Sequence, residues 1–489
     1  MTLQELTTGI PGAVLHGPAA TGMPIDGVVY RSDRARPGTV FACLRGVAAD
    51  GHDYAAAAVA AGAGALIVER VLDIGVPQVV VPDARLATAL VATRLAGDPS
   101  AGLRMVGITG TNGKTTTSFL MHSVLQAAGH ATGLIGTVEV RIGGQVVPAT
   151  HTTPESVDLQ DLLVAMREAG DTACVMEVSS HALSQRRVAG VRFDAALFTN
   201  LTRDHLDYHP DVEHYYAAKR ALFIRPEGEG DDPPAAVNLD DAYGRRLAGE
   251  TGALTFAVDD LGADIRPVAL TMHAAGFSAT IATPRGPLDV ESRLRGHFNV
   301  SNVAGVVALG EILDLSHDAV ARGIAALAGV PGRFEAIDAG QDFQVLVDYA
   351  HTPDSLENIL VSARRLVPQG GRLVVVFGCG GDRDRGKRPQ MGRIAADLSD
   401  VAIVTSDNPR TEDPARIIDD IVGGMGDGRA ECLVDGDRRS AIERALTGGR
   451  TGDVIVIAGK GHERGQEMNG VVRPFDDRDV AREVLEAVV

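Results

Sequence analysis

The sequence predicts an α/β protein of three domains, with a central, mostly parallel sheet of the P-loop ATPase kind and a second parallel sheet towards the C-terminus. Its 489 residues suggest about three domains at roughly 100 to 200 residues each. From Arg104 onward, apolar runs of strand length alternate with helix-length segments, the pattern of parallel α/β units. A glycine-rich loop ending in Gly-Lys-Thr lies between one such run and a helical segment, the setting in which backbone amides wrap phosphate oxygens.

Residues 1–103 read as a smaller α/β domain: the turn Arg36-Pro37-Gly38 feeds the apolar Thr39 to Leu44, and Ala-rich helical sequence follows. Residues 104–331 form the central domain, with buried strands expected at Met105 to Thr109, Cys174 to Val178 and Ala195 to Thr199. Within it, Glu227 to Pro234 reads as a polar Gly/Pro surface loop, and Val330-Pro331-Gly332 is the breaker that ends the domain. Residues 332–489 supply a second series of strands, Val345 to Asp348, Leu373 to Phe377, Val401 to Thr405 and Val454 to Ala458. No internal repeat is visible.

Composition narrows the function. Hydrophobic residues at 45% and charged residues at 22% are ordinary globular usage and argue against a disordered chain. The formal net charge of −18 argues against broad nucleic-acid binding or attachment to anionic lipid, so any phosphate must be held by local features. Cys43, Cys174, Cys379 and Cys432 lie far apart with no Cys-x-x-Cys pair, which suits reduced thiols rather than zinc or a redox centre. Met1 to Ile10 carries no export signal, and the longest apolar stretch, Ala55 to Val68, falls short of the roughly 20 residues that span a bilayer. A soluble, cytoplasmic protein is expected.

The loop runs Thr109-Gly110-Thr111-Asn112-Gly113-Lys114-Thr115-Thr116 and opens a helical run through Leu125. Lys114 is placed to meet the β/γ-phosphates, and Thr115 to put its hydroxyl on Mg²⁺. Position 108, where the usual spacing has glycine, is Ile, so the loop is a variant. Only four of the 46 basic residues are lysines, Lys114, Lys219, Lys387 and Lys460. A chain that otherwise chooses arginine keeps lysine where a compact ammonium or a neutral amine is required, because guanidinium is not deprotonated in proteins.

Gly110-Thr-Asn-Gly-Lys-Thr-Thr116, Glu177-Val-Ser-Ser-His181, Asp204-His-Leu-Asp207 and Gly459-Lys-Gly-His-Glu463 occur in this order, and together they resemble the Mur ligases, ATP-dependent amide-forming enzymes of peptidoglycan precursor synthesis. The resemblance implies an N-terminal domain for a uridine nucleotide, a central ATPase domain and a Rossmann-like C-terminal domain for the incoming amino acid. It implies Gly110, Thr111, Asn112, Gly113, Lys114, Thr115 and Thr116 around ATP, with Asn302, Arg333 and Asp348 on the far side of the cleft. Glu177 resembles the family's magnesium carboxylate and His205 its histidine near a second metal. Lys219 matches a lysine carried as a carbamate, in which CO₂ turns the amine into an anionic metal ligand; by its local sequence alone Lys219 is a surface residue of an amphipathic helix.

The resemblance further implies UDP-N-acetylmuramoyl-L-alanyl-D-glutamate as a substrate, contacted by Ser32, Thr152, Thr153, Ser179, Gln185 and Arg187. The family's Asp-Ser-Arg around the serine reads Arg31-Ser32-Asp33 here. Asp407, Asn408, Pro409 and Arg410 match the segment associated with diaminopimelate rather than lysine. Arg410 can grip the distal carboxylate that lysine lacks. Arg383, Gly459 and Glu463 match further amino-acid contacts. The expected protein is a monomer that takes ATP, the nucleotide-sugar dipeptide and diaminopimelate. A lysine-adding relative, a folylpolyglutamate synthetase-like ligase and a non-catalytic nucleotide-dependent scaffold are the alternatives.

Overall fold

The computed structural model describes residues 1–17, 22–46, 49–273 and 275–488. Three principal sheets follow one another along the chain. The first has the strand order Val14–His16, Gln78–Val80, Ala65–Val68, Thr39–Ala42 and Gly27–Val29, parallel except for its first pair. The apolar stretch read from Ala55 to Val68 divides into a helix, Ala55–Ala60, and the buried strand Ala65–Val68.

The second sheet has eight strands, in the order Leu254–Phe256, Ala235–Asn238, Ala195–Phe198, Arg104–Thr109, Ala173–Glu177, Thr132–Ile135, Glu139–Ile142 and Gln145–Pro148. The first six are parallel and the last two form an antiparallel hairpin. Strands buried on both faces are apolar throughout, which is why Arg104–Thr109, Ala173–Glu177 and Ala195–Phe198 fall within a residue or two of the runs legible in the sequence. The helices Lys114–Ala127 and Phe298–Ile312 share a core with one face of this sheet. A three-stranded antiparallel sheet, Arg266–His273, Gly276–Ala282 and Leu288–Ser292, packs into the same core.

The third sheet orders Glu335–Ile337, Gln344–Asp348, Val454–Ala458, Leu373–Phe377, Val401–Val404 and Glu431–Val434, parallel but for its first strand. A separate core covers each of its faces. The exposed hairpin Gly465–Met468 and Val471–Pro474 follows its last parallel strand to be added in sequence. Among the described residues no helix is long and apolar enough to cross a membrane.

The segment read as a polar surface loop, 227–234, is mostly exposed but is anchored at one residue. Glu229 is 3% exposed and pairs with Arg186 at 2.5 Å. A buried carboxylate needs such a partner, and nothing in the local sequence reveals one 43 residues away.

Candidate active site

In an open parallel sheet, ligands gather at the carboxyl ends of strands beside a change in strand order. The strand Arg104–Thr109 lies between Ala173–Glu177 and Ala195–Phe198, and its carboxyl end runs into the glycine-rich loop. Gly110 has φ +148°, and a Cβ there would strike the Thr199 hydroxyl. The loop therefore needs glycine where it turns against the neighbouring strand. Gly113 precedes the helix Lys114–Ala127 without a side-chain cap, so the first-turn amides are available to an anion. Asn112 N donates to Asn200 Oδ1 at 2.9 Å, and Thr111 Oγ1 meets Tyr215 OH at 3.1 Å.

Two lysines converge on a single carbonyl here. Lys114 Nζ donates to Gly110 O at 2.9 Å and to Thr111 O at 2.8 Å, while Lys219 Nζ donates to Gly110 O at 2.6 Å. Lys219 lies in the helix Val212–Arg220 and is 1% exposed, which overturns its reading as a surface residue. In the sequence, the general preference for arginine and the resemblance of Lys219 to a carbamate-bearing lysine both pointed away from the surface. Burial, then repulsion from Lys114, pushes the Lys219 ammonium well below its ordinary range, against the pull of Asp204. Burial also lowers Lys114, partly offset by Glu177 and Asp204.

Glu177 ends its strand fully buried. Its carboxylate accepts from Thr115 Oγ1 at 3.0 Å, Thr137 N at 2.8 Å and Thr137 Oγ1 at 3.0 Å, all neutral donors. A buried carboxylate beside a threonine hydroxyl offers the hard oxygen ligands that Mg²⁺ prefers. These residues fit that ion. Among the described residues no group of three or more His, Cys, Asp or Glu could hold a metal, so phosphate and water oxygens would complete its shell, as is usual for Mg²⁺.

His205 has φ +54° and places Nε2 3.4 Å from Asp204 Oδ2. Its ring stands edge-on to His181 at 4.8 Å. Burial, opposed by Asp204, brings its pKa down to about 3, so the ring is neutral at pH 7. No hydrogen bond joins His205 to Thr115 or Glu177 among the described residues.

The segment after the edge hairpin approaches the same strand end. Thr153 Oγ1 donates to Glu177 O at 2.8 Å and accepts from Ser179 N at 3.0 Å, and Thr152 Oγ1 lies 3.0 Å from Thr137 Oγ1. Arg187 donates to Thr153 O at 2.8 Å and Gln185 Oε1 at 2.9 Å, and pairs with Glu155 at 2.6 Å. Thr152, Thr153, Ser179, Gln185 and Arg187 thus form one connected group. Ser32 sits apart in the turn Ser32–Arg34 of the first domain, where Arg31 and Asp33 pair across it at 2.7 Å.

The C-terminal domain rests on the phosphate loop. Arg333 Nη2 donates to Thr115 Oγ1 at 3.2 Å, and its guanidinium lies 4.5 Å from the Tyr349 ring centre. Asp354, in the first turn of the helix Pro353–Arg364, accepts from Asn112 Nδ2 at 2.7 Å and Thr202 Oγ1 at 3.3 Å. Asp348 accepts from Phe334 N and Ala350 N at 2.7 Å each, and burial raises its carboxyl above the ordinary range. Asn302 accepts from Thr117 Oγ1 at 3.3 Å behind the loop.

At the carboxyl edge of the third sheet, Asp407, Asn408 and Pro409 are buried and Arg410 adopts φ +51°. Arg410 Nη1 donates to Gly381 O at 2.7 Å, and Nε lies 3.4 Å from Glu467 Oε2, which leaves most of the five guanidinium donors for a ligand. The backbone of Arg410 is stitched to the exposed hairpin: its N–H donates to Glu467 O at 3.1 Å and its carbonyl accepts from Asn469 N at 2.7 Å. Arg383 lines a cavity of about 350 Å³ with Glu412 on one side and Arg203 and Asp207 of the central domain on the other.

Gly459 has φ +115°, and a Cβ there would lie 2.5 Å from Asp407 Oδ2. Gly459→Ala is expected to cost about 1–3 kcal/mol of stability through backbone strain and the displaced carboxylate, seen as a lowered melting temperature. Burial opposes the charge of Asp407, but Arg438, Lys460 and Lys387 hold its carboxyl below the ordinary range. Arg438, fully buried, pairs with Asp477 at 2.7 Å and donates to Ala458 O at 2.9 Å. Arg438, Asp477, Lys460 and Asp354 were not singled out as site residues from sequence. For Lys460 the rarity of lysine was the available signal; the others carry no local pattern.

A phosphate loop facing a second parallel-sheet domain, with two lysines, one of them fully buried, and a buried carboxylate at the junction, defines an ATP-dependent ligase of the Mur type. The chain belongs to the Mur ligase family: it matches the Mur ligase family catalytic domain over residues 24–93, the Mur ligase middle domain over 108–310 and the Mur ligase glutamate ligase domain over 332–461. It is 45% identical over 491 residues to the UDP-N-acetylmuramoyl-L-alanyl-D-glutamate--2,6-diaminopimelate ligase of Solibacter usitatus (strain Ellin6076), covering 99% of this chain and 98% of the relative. The enzyme of the same name from Geobacter metallireducens (strain ATCC 53774 / DSM 7210 / GS-15) is 45% identical over 502 residues, covering 98% and 97%. A solved structure of a ligase of this name superposes with a TM-score of 0.71 at 34% identity, covering all of this chain and 99% of the other.

Proposed function

We propose that the protein adds diaminopimelate to the γ-carboxylate of the D-glutamate residue in UDP-N-acetylmuramoyl-L-alanyl-D-glutamate, at the expense of ATP. The γ-phosphoryl group of ATP passes to the carboxylate, leaving ADP and an acyl phosphate. The amine of diaminopimelate then attacks the acyl carbon and expels phosphate, forming the amide and releasing a proton. The observation that carries this reading is the convergence of Lys114 and Lys219 on Gly110 O. A half-buried and a fully buried amine at one phosphate loop mark a place built to receive negative charge.

Residues 1–103, 104–331 and 332–489 divide the work between nucleotide-sugar, ATP and amino acid. Lys114 and the first-turn amides bind the transferring phosphoryl group, whose anionic transition state gains most from fixed positive groups. Thr115 and Glu177 would hold Mg²⁺, with His205 and carbamylated Lys219 beside a second ion; the metal, when bound, neutralises phosphate charge. The lowered basicity of Lys219 favours the neutral amine that reacts with CO₂. Arg333, reaching Thr115 across the junction, helps to exclude water from an acyl phosphate that water would destroy. Thr152, Thr153, Ser179, Gln185 and Arg187 orient the dipeptide, Ser32 contacts uridine, and Arg383, Arg410, Asn408 and Glu463 hold diaminopimelate.

The test supplies purified protein with ATP, magnesium and the nucleotide-sugar dipeptide, then measures phosphate release and product mass with meso-diaminopimelate, L,L-diaminopimelate and L-lysine. A diaminopimelate adduct without a lysine adduct is expected. A lysine adduct would overturn the specificity assigned to Arg410 and keep the mechanism. No adduct with any of the three would overturn the reaction.

A further inference from the structure

Lys460 is fully buried in the loop after the strand Val454–Ala458, and none of the roles above uses it. Its Nζ donates to Asn408 Oδ1 at 3.0 Å and to Glu463 Oε2 at 2.9 Å. Asn408 Nδ2 closes the ring by donating to the same Glu463 Oε2 at 2.8 Å. Asn408 Oδ1 also accepts from Glu467 N at 2.9 Å, which fixes which end of the amide faces which partner. The ring joins two segments more than 50 residues apart.

We propose that Lys460 is a positioning residue for amino-acid recognition: it fixes the Asn408 amide and the Glu463 carboxylate as one unit, so that the incoming amine meets a preset acceptor. The inference rests on the assignment of Asn408 and Glu463 to amino-acid binding. Both contacts of the Glu463 carboxylate with this ring fall on Oε2, so Oε1 is the oxygen left to receive an ammonium. Without Lys460, Asn408 Oδ1 keeps only the Glu467 N–H and Glu463, whose side chain is 30% exposed, is held by the Asn408 amide alone, so the carboxylate is less firmly kept from solvent.

The choice of lysine follows from the space. A tetrahedral ammonium reaches two acceptors in different chain segments from a single point, whereas a planar guanidinium needs more room and a forked pair of acceptors. The surrounding backbone is tight: Gly459 abuts Asp407, and Gly461 packs against Gly332 and Tyr349. This accounts for one of the four lysines in an arginine-rich chain.

The experiment measures steady-state kinetics of Lys460→Met and Lys460→Arg in the full-length protein, with each of the three substrates varied in turn. The loss of a charge-assisted hydrogen-bond pair is expected to raise KM for diaminopimelate roughly 10- to 100-fold. KM for ATP and for the nucleotide-sugar dipeptide should stay within about 2-fold, and Lys460→Arg should not rescue. Combined with Glu463→Gln, Lys460→Met should add little to the effect of Glu463→Gln alone, because both act through one carboxylate. An unchanged KM for diaminopimelate, equal loss for all substrates, or fully additive effects in the double variant would each overturn the proposal. If Lys460→Met does not fold, as judged by circular dichroism and melting, Lys460→Gln carries the same expectations with one donor kept. Failure of the parent protein to form any diaminopimelate adduct would instead sink the reaction assignment.

Discussion

Lys219→Ala should abolish ligation, with a fall in kcat of at least about 10²- to 10³-fold, the scale of losing a principal electrostatic group at a transition state. Nucleotide binding should be largely kept, because the Gly110 to Thr116 backbone and Lys114 remain. The physical basis is the position of Lys219: buried, 2.6 Å from the loop carbonyl, and depressed in basicity by its surroundings. Lys219→Arg should be no better than Ala, since guanidinium cannot be converted into a carbamate under these conditions. The measurements are single-turnover phosphate transfer and ADP affinity for each variant, with activity of the parent compared in CO₂-depleted and bicarbonate-supplemented buffer. Retained activity in Lys219→Ala would remove the carbamate role.

The second large effect is selective. Arg410→Ala should lower kcat/KM for diaminopimelate by roughly 10²- to 10³-fold, the range for removing one partner of a desolvated charge pair. Affinity for ATP and the dipeptide should hold. Arg410→Lys should recover little, because a point charge does not reproduce bidentate contact with a carboxylate. The measurement is the ratio of the three substrate parameters in one assay series. Equal losses in all three would point to a collapsed loop rather than a lost carboxylate contact, a reading that melting curves would check.

The parallel strands were legible because both faces are buried and their sequences are unbroken apolar runs, as in Leu373–Phe377 and Val454–Ala458. The phosphate loop was legible because its chemistry is contiguous: glycine, lysine and threonine stand together. The three-stranded sheet at 266–292 was not read, since its first strand is largely solvent-facing and carries little apolar signal. Contacts between distant segments were equally hidden. Asp354 meets Asn112 across 242 residues, and Arg438 supports the Gly459 loop through Ala458 and Asp477; neither residue type nor spacing marks them out. The buried position of Lys219 was not legible in its local sequence, because a nine-residue helix with mixed polarity reads as surface; the match to a carbamate-bearing lysine was what pointed inward.

Arg410 does not stand on its loop alone. Its backbone is paired with the hairpin of Gly465–Met468 and Val471–Pro474, whose Val471 and Val472 face outward. The hairpin thus sets where the backbone that carries the guanidinium is held. A one-residue slip in its pairing would carry the attachment point along by about 3.4 Å, one strand step, more than the tolerance of a carboxylate clasp. Substrate preference could therefore drift through insertions in an outer ribbon while Asp407-Asn-Pro-Arg410 stays unaltered, and two chains sharing those four letters need not share a ligand.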